Sequence, residues 1–211
     1  MSRVALLADN DVLLSAAHWG LLDQVPTIAS ATWANVAALS SLPPRVKKSD
    51  PKLFQDPAVA AAMVPFLSQC APLPNPDSEV IAILQGRHDI DVGEQLLLAA
   101  ACNVPHAFVL TGDKRAIRAL ATLRAEGLLP QLSGRLLCLE QWIWHVLSAL
   151  GPGELVERFR RCPDRNQAVR AVLGRVGQKS AEEIREGLAS YISELDDDAP
   201  DLLVKEFGIA K

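Results

Sequence analysis

The sequence predicts an α/β protein: three layers, α/β/α, around a central and mainly parallel sheet, with a C-terminal helical appendage. Three observations predict it. Short apolar runs at residues 4–8, 107–110 and 136–139 break at once into polar or turn-forming residues, as buried strands do. A segment of helical spacing follows each run, and strand–helix alternation through the first 150 residues is the pattern of parallel βαβ units. Beyond Gly153 no strand signal appears. Residues 1–150 are therefore assigned to the α/β domain and residues 151–211 to the appendage.

In order along the chain, Val4-Ala5-Leu6-Leu7-Ala8 is the first strand, and residues 12–22 carry apolar residues at helical spacing, ending near Gly20. Residues 27–39 are Ala-rich, contain Trp33 and Val36, and are expected to be helical. Residues 40–56 hold Pro43, Pro44, Pro51, Lys47 and Lys48 and read as a loop; residues 58–68 read as a short helix. Three prolines in residues 71–76 demand an extended or turning chain. Residues 78–85 fit strand or helix, and a start at Asp77 or Ser78 favours helix. Asp91 followed three residues later by Glu94 forms a capping box, opening a helix that Asn103 and Pro105 stop near Cys102. Residues 114–126 place Ile117, Leu120 and Leu123 on one helical face before Gly127. Residues 141–150 form a further helix closed by Gly151 and Pro152, with Trp142 and Trp144 as packing residues. In the appendage, residues 154–161 and 167–176 read as short helices. Ser180 and Glu183 repeat the capping-box pattern ahead of Ile184, Leu188, Tyr191, Ile192 and Leu195, which share a face.

Bulk properties narrow the function classes. Of 211 residues, 49% are apolar, enough for a core and too many for a disordered chain. No run approaches the ~18 uninterrupted apolar residues of a membrane helix, and the first residues carry no signal-peptide pattern. A cytoplasmic protein without a membrane partner is expected. Cys70, Cys102, Cys138 and Cys162 lack metal-ligand spacing and sit in or beside apolar segments, as buried free thiols do. The four histidines show no useful mutual spacing. The net charge of −4 conceals a basic stretch, in which seven Lys and Arg residues between Arg158 and Lys179 face one acid, Asp164. A protein that contacts phosphates needs such a local basic face, not a basic total.

What chemistry remains lies in three acidic stretches at the edges of apolar runs: Asp9-Asn10-Asp11, Asp89-Ile90-Asp91-Val92-Gly93-Glu94 and Thr111-Gly112-Asp113. In open parallel sheets ligands bind beyond the carboxyl ends of the strands, which is where Asp9 and Asp113 fall. Carboxylates gathered there suit a hard divalent cation, which takes oxygen ligands without histidine or cysteine. Each acid also has an ordinary structural role open to it. Asp9 fits a strand end bonding the next helix's amides, Asp91 with Glu94 a capping box, and Asp113 an N-cap.

The same residues carry a family resemblance. Residues 4–14, an apolar strand followed by Asp9, two polar positions and apolar residues, resemble the start of PIN-domain nucleases. Asp91-Val92-Gly93-Glu94 before Leu96-Leu97-Leu98-Ala99 resembles that family's Gly-Glu helix start, and Val109-Leu110-Thr111-Gly112-Asp113 its strand–Thr–x–Asp segment. The three occur in family order across residues 3–145. The resemblance implies hydrolysis of RNA phosphodiester bonds, with Asp9, Glu94 and Asp113 binding Mg²⁺ or Mn²⁺ and with Asp11, Asp91 and Thr111 in support. Lys114, Arg115 and Arg118 then stand beside the site as RNA contacts, or as a solvated helix face. Where the family often has a fourth acid, this chain has Lys114-Arg115; Glu140, after the next strand, is the remaining candidate. Many relatives are toxins of toxin–antitoxin pairs. The expected partners are accordingly an RNA substrate, an antitoxin or other protein held by the C-terminal helices, and a second copy of the chain. Two rival readings stand beside this one. Asp9-Asn10-Asp11-Val12 also resembles the opening of haloacid-dehalogenase-type phosphatases, and a catalytically degenerate PIN-like domain would serve as a binding module.

Overall fold

The computed structural model of the chain describes residues 4–174 and 179–205. At its centre are β1 (Leu6–Ala8), β2 (Val36–Ala38), β3 (Phe108–Thr111) and β4 (Leu136–Cys138). They pair only in parallel, in the order β2-β1-β3-β4. Parallel neighbours require crossover connections, and those connections place helices on both faces. Alternate residues of each strand therefore enter different cores. Leu6, Ala8, Val36, Ala38, Leu110 and Leu137 join one apolar cluster. Leu7, Ala37, Val109, Leu136 and Cys138 join the other. The first face is covered by α1 (Asn10–Trp19), α2 (Leu42–Lys47), α3 (Pro57–Leu67) and α7 (Leu139–Leu150). The second is covered by α4 (Ser78–Leu84), α5 (Val92–Cys102) and α6 (Lys114–Ala125). The fold is the predicted three-layer α/β/α arrangement.

Several elements follow from local chemistry. The α5 capping box is formed as expected, with Asp91 Oδ1 accepting from the Glu94 amide at 2.8 Å and Glu94 Oε2 accepting from the Asp91 amide at 3.0 Å. Asp77 caps α4 by accepting from the amides of Glu79 and Val80. Gly20, at φ 66°, ends α1 in the left-handed conformation that glycine adopts without a Cβ penalty. Residues 72–76 form neither helix nor strand, and the Ala71 amide donates to Val36 O at 2.8 Å, a single parallel bridge on the outer edge of β2.

Other elements differ from expectation. Residues 27–39 are not a helix. Two 3-10 turns, Pro26–Ala29 and Trp33–Asn35, lead into β2. An Ala-rich run favours helix locally, but Ala37 and Ala38 are small enough to be covered on both faces beside β1, and tertiary pairing decides. The segment 40–56 contains α2, whose first turn accommodates Pro43 and Pro44 because amides there have no intrahelical acceptor.

The described part of the C-terminal region continues both cores. It forms α8 (Pro152–Phe159), α9 (Gln167–Leu173) and α10 (Ala181–Asp198); residues 175 and 176 of the expected second helix lie outside the described residues. Leu155, Phe159, Val169, Ile184 and Leu188 enter the first cluster, while Ile192, Leu195, Ala199, Leu202 and Leu203 enter the second. The apolar face of α10 is thus spent on the core. Beyond it the chain runs along the outer edge of β4. Leu136 N donates to Leu202 O at 3.0 Å and Val204 N to Leu136 O at 2.9 Å, a parallel bridge in a region where the sequence shows no strand. No helix among the described residues is long and apolar enough to cross a membrane.

Candidate functional site

The chain leaves β1 for one side of the sheet and returns to β3 on the other, so the carboxyl ends of β1 and β3 flank a topological switch point. An open cleft of about 590 Å³ lies there, lined by Asp9, Asp11, Asp91, Glu94 and Asp113. The first two acids come from the end of β1 and the start of α1, the next two from the start of α5, and the last from the turn after β3. All three sequence motifs reach this cleft.

Asp9 is the N-cap of α1. Its Oδ1 accepts from the Asn10 amide at 2.7 Å and its Oδ2 from the Asp11 amide at 3.2 Å. Its own amide donates to Leu110 O at 2.9 Å, locking the end of β1 to β3. Burial, the Asp11 carboxylate and the Asp91 carboxylate push its pKa up to about 6, against the pull of the two amide bonds.

Glu94 is only 6% exposed. Burial, and then the carboxylates of Asp113, Asp91 and Asp9, push its pKa up to about 8; the Asp91 amide bond opposes this. The preceding Gly93 matters sterically. A Cβ there would lie 2.9 Å from Leu39 Cδ1 and 3.2 Å from Asp91 Oδ1, so glycine permits the close approach of the Asp91 carboxylate. Asp113 caps α6, its Oδ1 accepting from the Arg115 and Ala116 amides at 2.8 and 3.3 Å. Its amide donates to Thr111 Oγ1 at 3.1 Å, so Thr111 shapes the turn that presents Asp113.

Every acid of the trio therefore fills the capping role open to it, and all three line one cleft as well. The two roles are compatible, because a carboxylate has about four lone-pair sites and a cap uses one or two.

The basic residues divide differently from their sequence order. Arg115 is on the cleft, with Nη2 3.2 Å from Asp113 Oδ2. Lys114 is not on the lining. Its Nζ lies 2.7 Å from Glu140 Oε1 and 4.3 Å from the centre of the Tyr191 ring. Although Glu140 Oε1 accepts no hydrogen bond of good geometry, this contact is close enough to compensate its charge. Glu140, 2% exposed, is thereby the counter-ion of Lys114 and is not on the cleft lining. Arg118 is tied to α10 through Glu194 and Asp198. In their place the cleft acquires Arg45 from α2, which pairs with Asp50 at 2.8 Å, and Arg165 from the C-terminal region, 3.4 Å from Asp11. Arg165 belongs to the basic stretch flagged by composition; Arg45 carried no signal in the sequence.

The donor set has the chemistry of a hard-cation site. It is all oxygen, its charges repel one another, and Asn10, also on the lining, leaves Oδ1 buried without a hydrogen bond. The spacing is looser than that of a coordination shell: among the described residues no three acidic, histidine or cysteine side chains are grouped closely enough to hold a metal ion. The acids thus match a divalent cation by donor type and by sharing one cleft, but not by spacing. In comparisons with known proteins, no protein-family model, no curated protein and no solved structure matches this chain.

Proposed function

We propose that this chain is a divalent-metal-dependent ribonuclease of PIN-like type, with Asp9, Glu94 and Asp113 holding Mg²⁺ or Mn²⁺. One observation carries the proposal: acids from three separate elements share the cleft at the β1/β3 switch point, close enough for Asp113, Asp91 and Asp9 each to raise the pKa of Glu94. Acids held above their ordinary pKa by burial and by one another are costly, and such arrangements concentrate at functional sites.

A divalent cation held by Asp9, Glu94 and Asp113 would supply a water of lowered pKa and neutralise charge on the pentavalent transition state. The chain's own residues do the rest. Asp9 and Glu94 would hold the ion in their ionised forms, which burial and the neighbouring carboxylates disfavour. Asp11 and Asp91 add negative field, and Thr111 holds the turn of Asp113. Arg115 and Arg165 offer forked donors that match phosphate oxygens.

Calorimetric titration with Mn²⁺ tests the proposal. Wild type is expected to bind and to cleave RNA in Mn²⁺, and Asp9→Asn/Asp113→Asn to do neither. Unchanged binding by the double variant would count against the assignment. The loose spacing of the acids favours a second reading, a PIN-like binding module without catalysis, which predicts RNA binding and no cleavage at any Mn²⁺ concentration. Asp11→Asn separates the phosphatase alternative, which requires loss of the chemistry at that position; the nuclease predicts a smaller loss than for Asp9→Asn.

A further inference from the structure

The acidic cleft does not end at Arg165. A second groove of about 720 Å³ opens beside it, between the segment running from Pro51 into α3 and the turn around residues 161–165. Leu53 and Arg165 line both cavities, so the two adjoin at these side chains. The character changes across the junction. The first cavity is dominated by carboxylates; the second carries Lys52, Arg161 and Arg165.

Two acids also line the second groove, and of these only Asp164 is charge-paired. Asp56 caps α3 by accepting from the Ala58 amide at 2.8 Å, and Asp164 is paired with Arg170. Lys52 and Arg161, both exposed, form no ion pair among the described residues. Against them stands the likewise unpaired Asp56, so the unpaired charge of the groove is net positive by one. Leu53, Val59 and Ala62 add an apolar wall.

We infer that this second groove holds the sugar–phosphate backbone of single-stranded RNA flanking the bond cut in the acidic cleft; the inference rests on the nuclease reading above. A strand entering a site crowded with carboxylates is repelled by them, and cations immediately beside the site offset that repulsion. A single strand fits, with its phosphates on Lys52 and Arg161 and its bases against the apolar wall. That combination of backbone tracking and base contact gives little sequence preference.

The test is fluorescence anisotropy with a labelled oligouridylate of about 12 nucleotides, within the site sizes of single-strand binders, without added divalent metal so that nothing is cut. Lys52→Ala/Arg161→Ala is expected to bind at least about tenfold more weakly than wild type and to reduce the slope of log K against log salt by about 1.4, two contacts at about 0.7 each. Arg160→Ala removes a cation paired with Glu157 and outside both cavities, and is expected to bind like wild type. Should the double variant melt early, Lys52→Gln and Arg161→Gln singly carry the same test. If the double variant binds as wild type does, the groove assignment is overturned; RNA cleavage by wild type in Mn²⁺ then leaves the nuclease reading standing. Binding that depends on Lys52 and Arg161 without any cleavage supports the groove and removes the nuclease. Absence of both binding and cleavage in wild type removes both.

Discussion

Replacing Glu94 by Gln is expected to stabilise the metal-free protein and, on the nuclease proposal, to abolish RNA cleavage in Mn²⁺. Folding raises the Glu94 pKa from 4.5 to about 8. Between those values the folded state keeps a proton that the unfolded chain has released, so stability falls as the pH climbs through the window. Each pH unit is worth about 1.4 kcal/mol, and the interval from 4.5 to 7 costs about 3 kcal/mol. Gln is close to the protonated acid in shape and keeps an amide oxygen to accept from the Asp91 amide, so it escapes this cost. Allowing for a weaker cap, the gain is about 2–3 kcal/mol at pH 7, or roughly 5–10 °C in melting temperature for a chain of this size. The assay is thermal and urea unfolding of both proteins in chelator, from pH 5 to pH 8.5. The advantage of Glu94→Gln should grow with pH, shrink toward zero near pH 5, and narrow when Mn²⁺ is added, because only wild type gains from binding. If the variant is no more stable than wild type at pH 8, or its advantage does not change with pH, Glu94 is not a desolvated acid under repulsion and the electrostatic argument for the cleft fails.

Further outcomes follow from the same geometry. Mn²⁺ must displace protons from Asp9 and Glu94, held up to about 6 and about 8, so its apparent affinity should rise up to about tenfold per pH unit between pH 6 and 8; calorimetry in matched buffers measures this, and a flat profile contradicts it. Lys114→Met strands the buried Glu140 and should cost about 3–5 kcal/mol in urea unfolding, whereas adding Glu140→Gln to that variant should recover most of the loss. Arg135 donates to the carbonyls of Ala101, Val104, Ala107 and Gln131, so Arg135→Met should destabilise by about 2–4 kcal/mol with RNA cleavage per folded molecule unchanged.

The elements legible in the sequence are those whose signal is local. β1, β3 and β4 are apolar runs with abrupt ends, and α5 announces itself through Asp91 and Glu94. β2 was illegible because a short buried strand and a buried Ala-rich helix share one composition; only the pairing of Val36 and Ala37 with β1 separates them. The acids could be found because each stands next to the strand or cap that positions it. The cations could not, because a long side chain reaches wherever its counter-charge lies. Lys114 follows Asp113 directly, yet turns to Glu140 and Tyr191, while Arg165, which reaches Asp11, lies beyond α7 and α8 in the chain. The single bridge at Leu203 was hidden for the same reason as β2: it depends on an edge that exists only once β4 is in place.

That bridge bears on the order in which the molecule can be assembled. The outer edge of β4 is satisfied by residues 201–204, while the helices between β4 and that segment pack on both cores. A chain emerging from the ribosome would therefore hold β1, β3 and all the cleft acids before it holds the segment that covers this edge. Until then Leu136 offers an open amide and carbonyl to any passing strand. A fragment cut at residue 150, where composition changes, would keep every acid of the cleft and leave that edge permanently bare. Self-association, before loss of the cleft, is the failure expected of it.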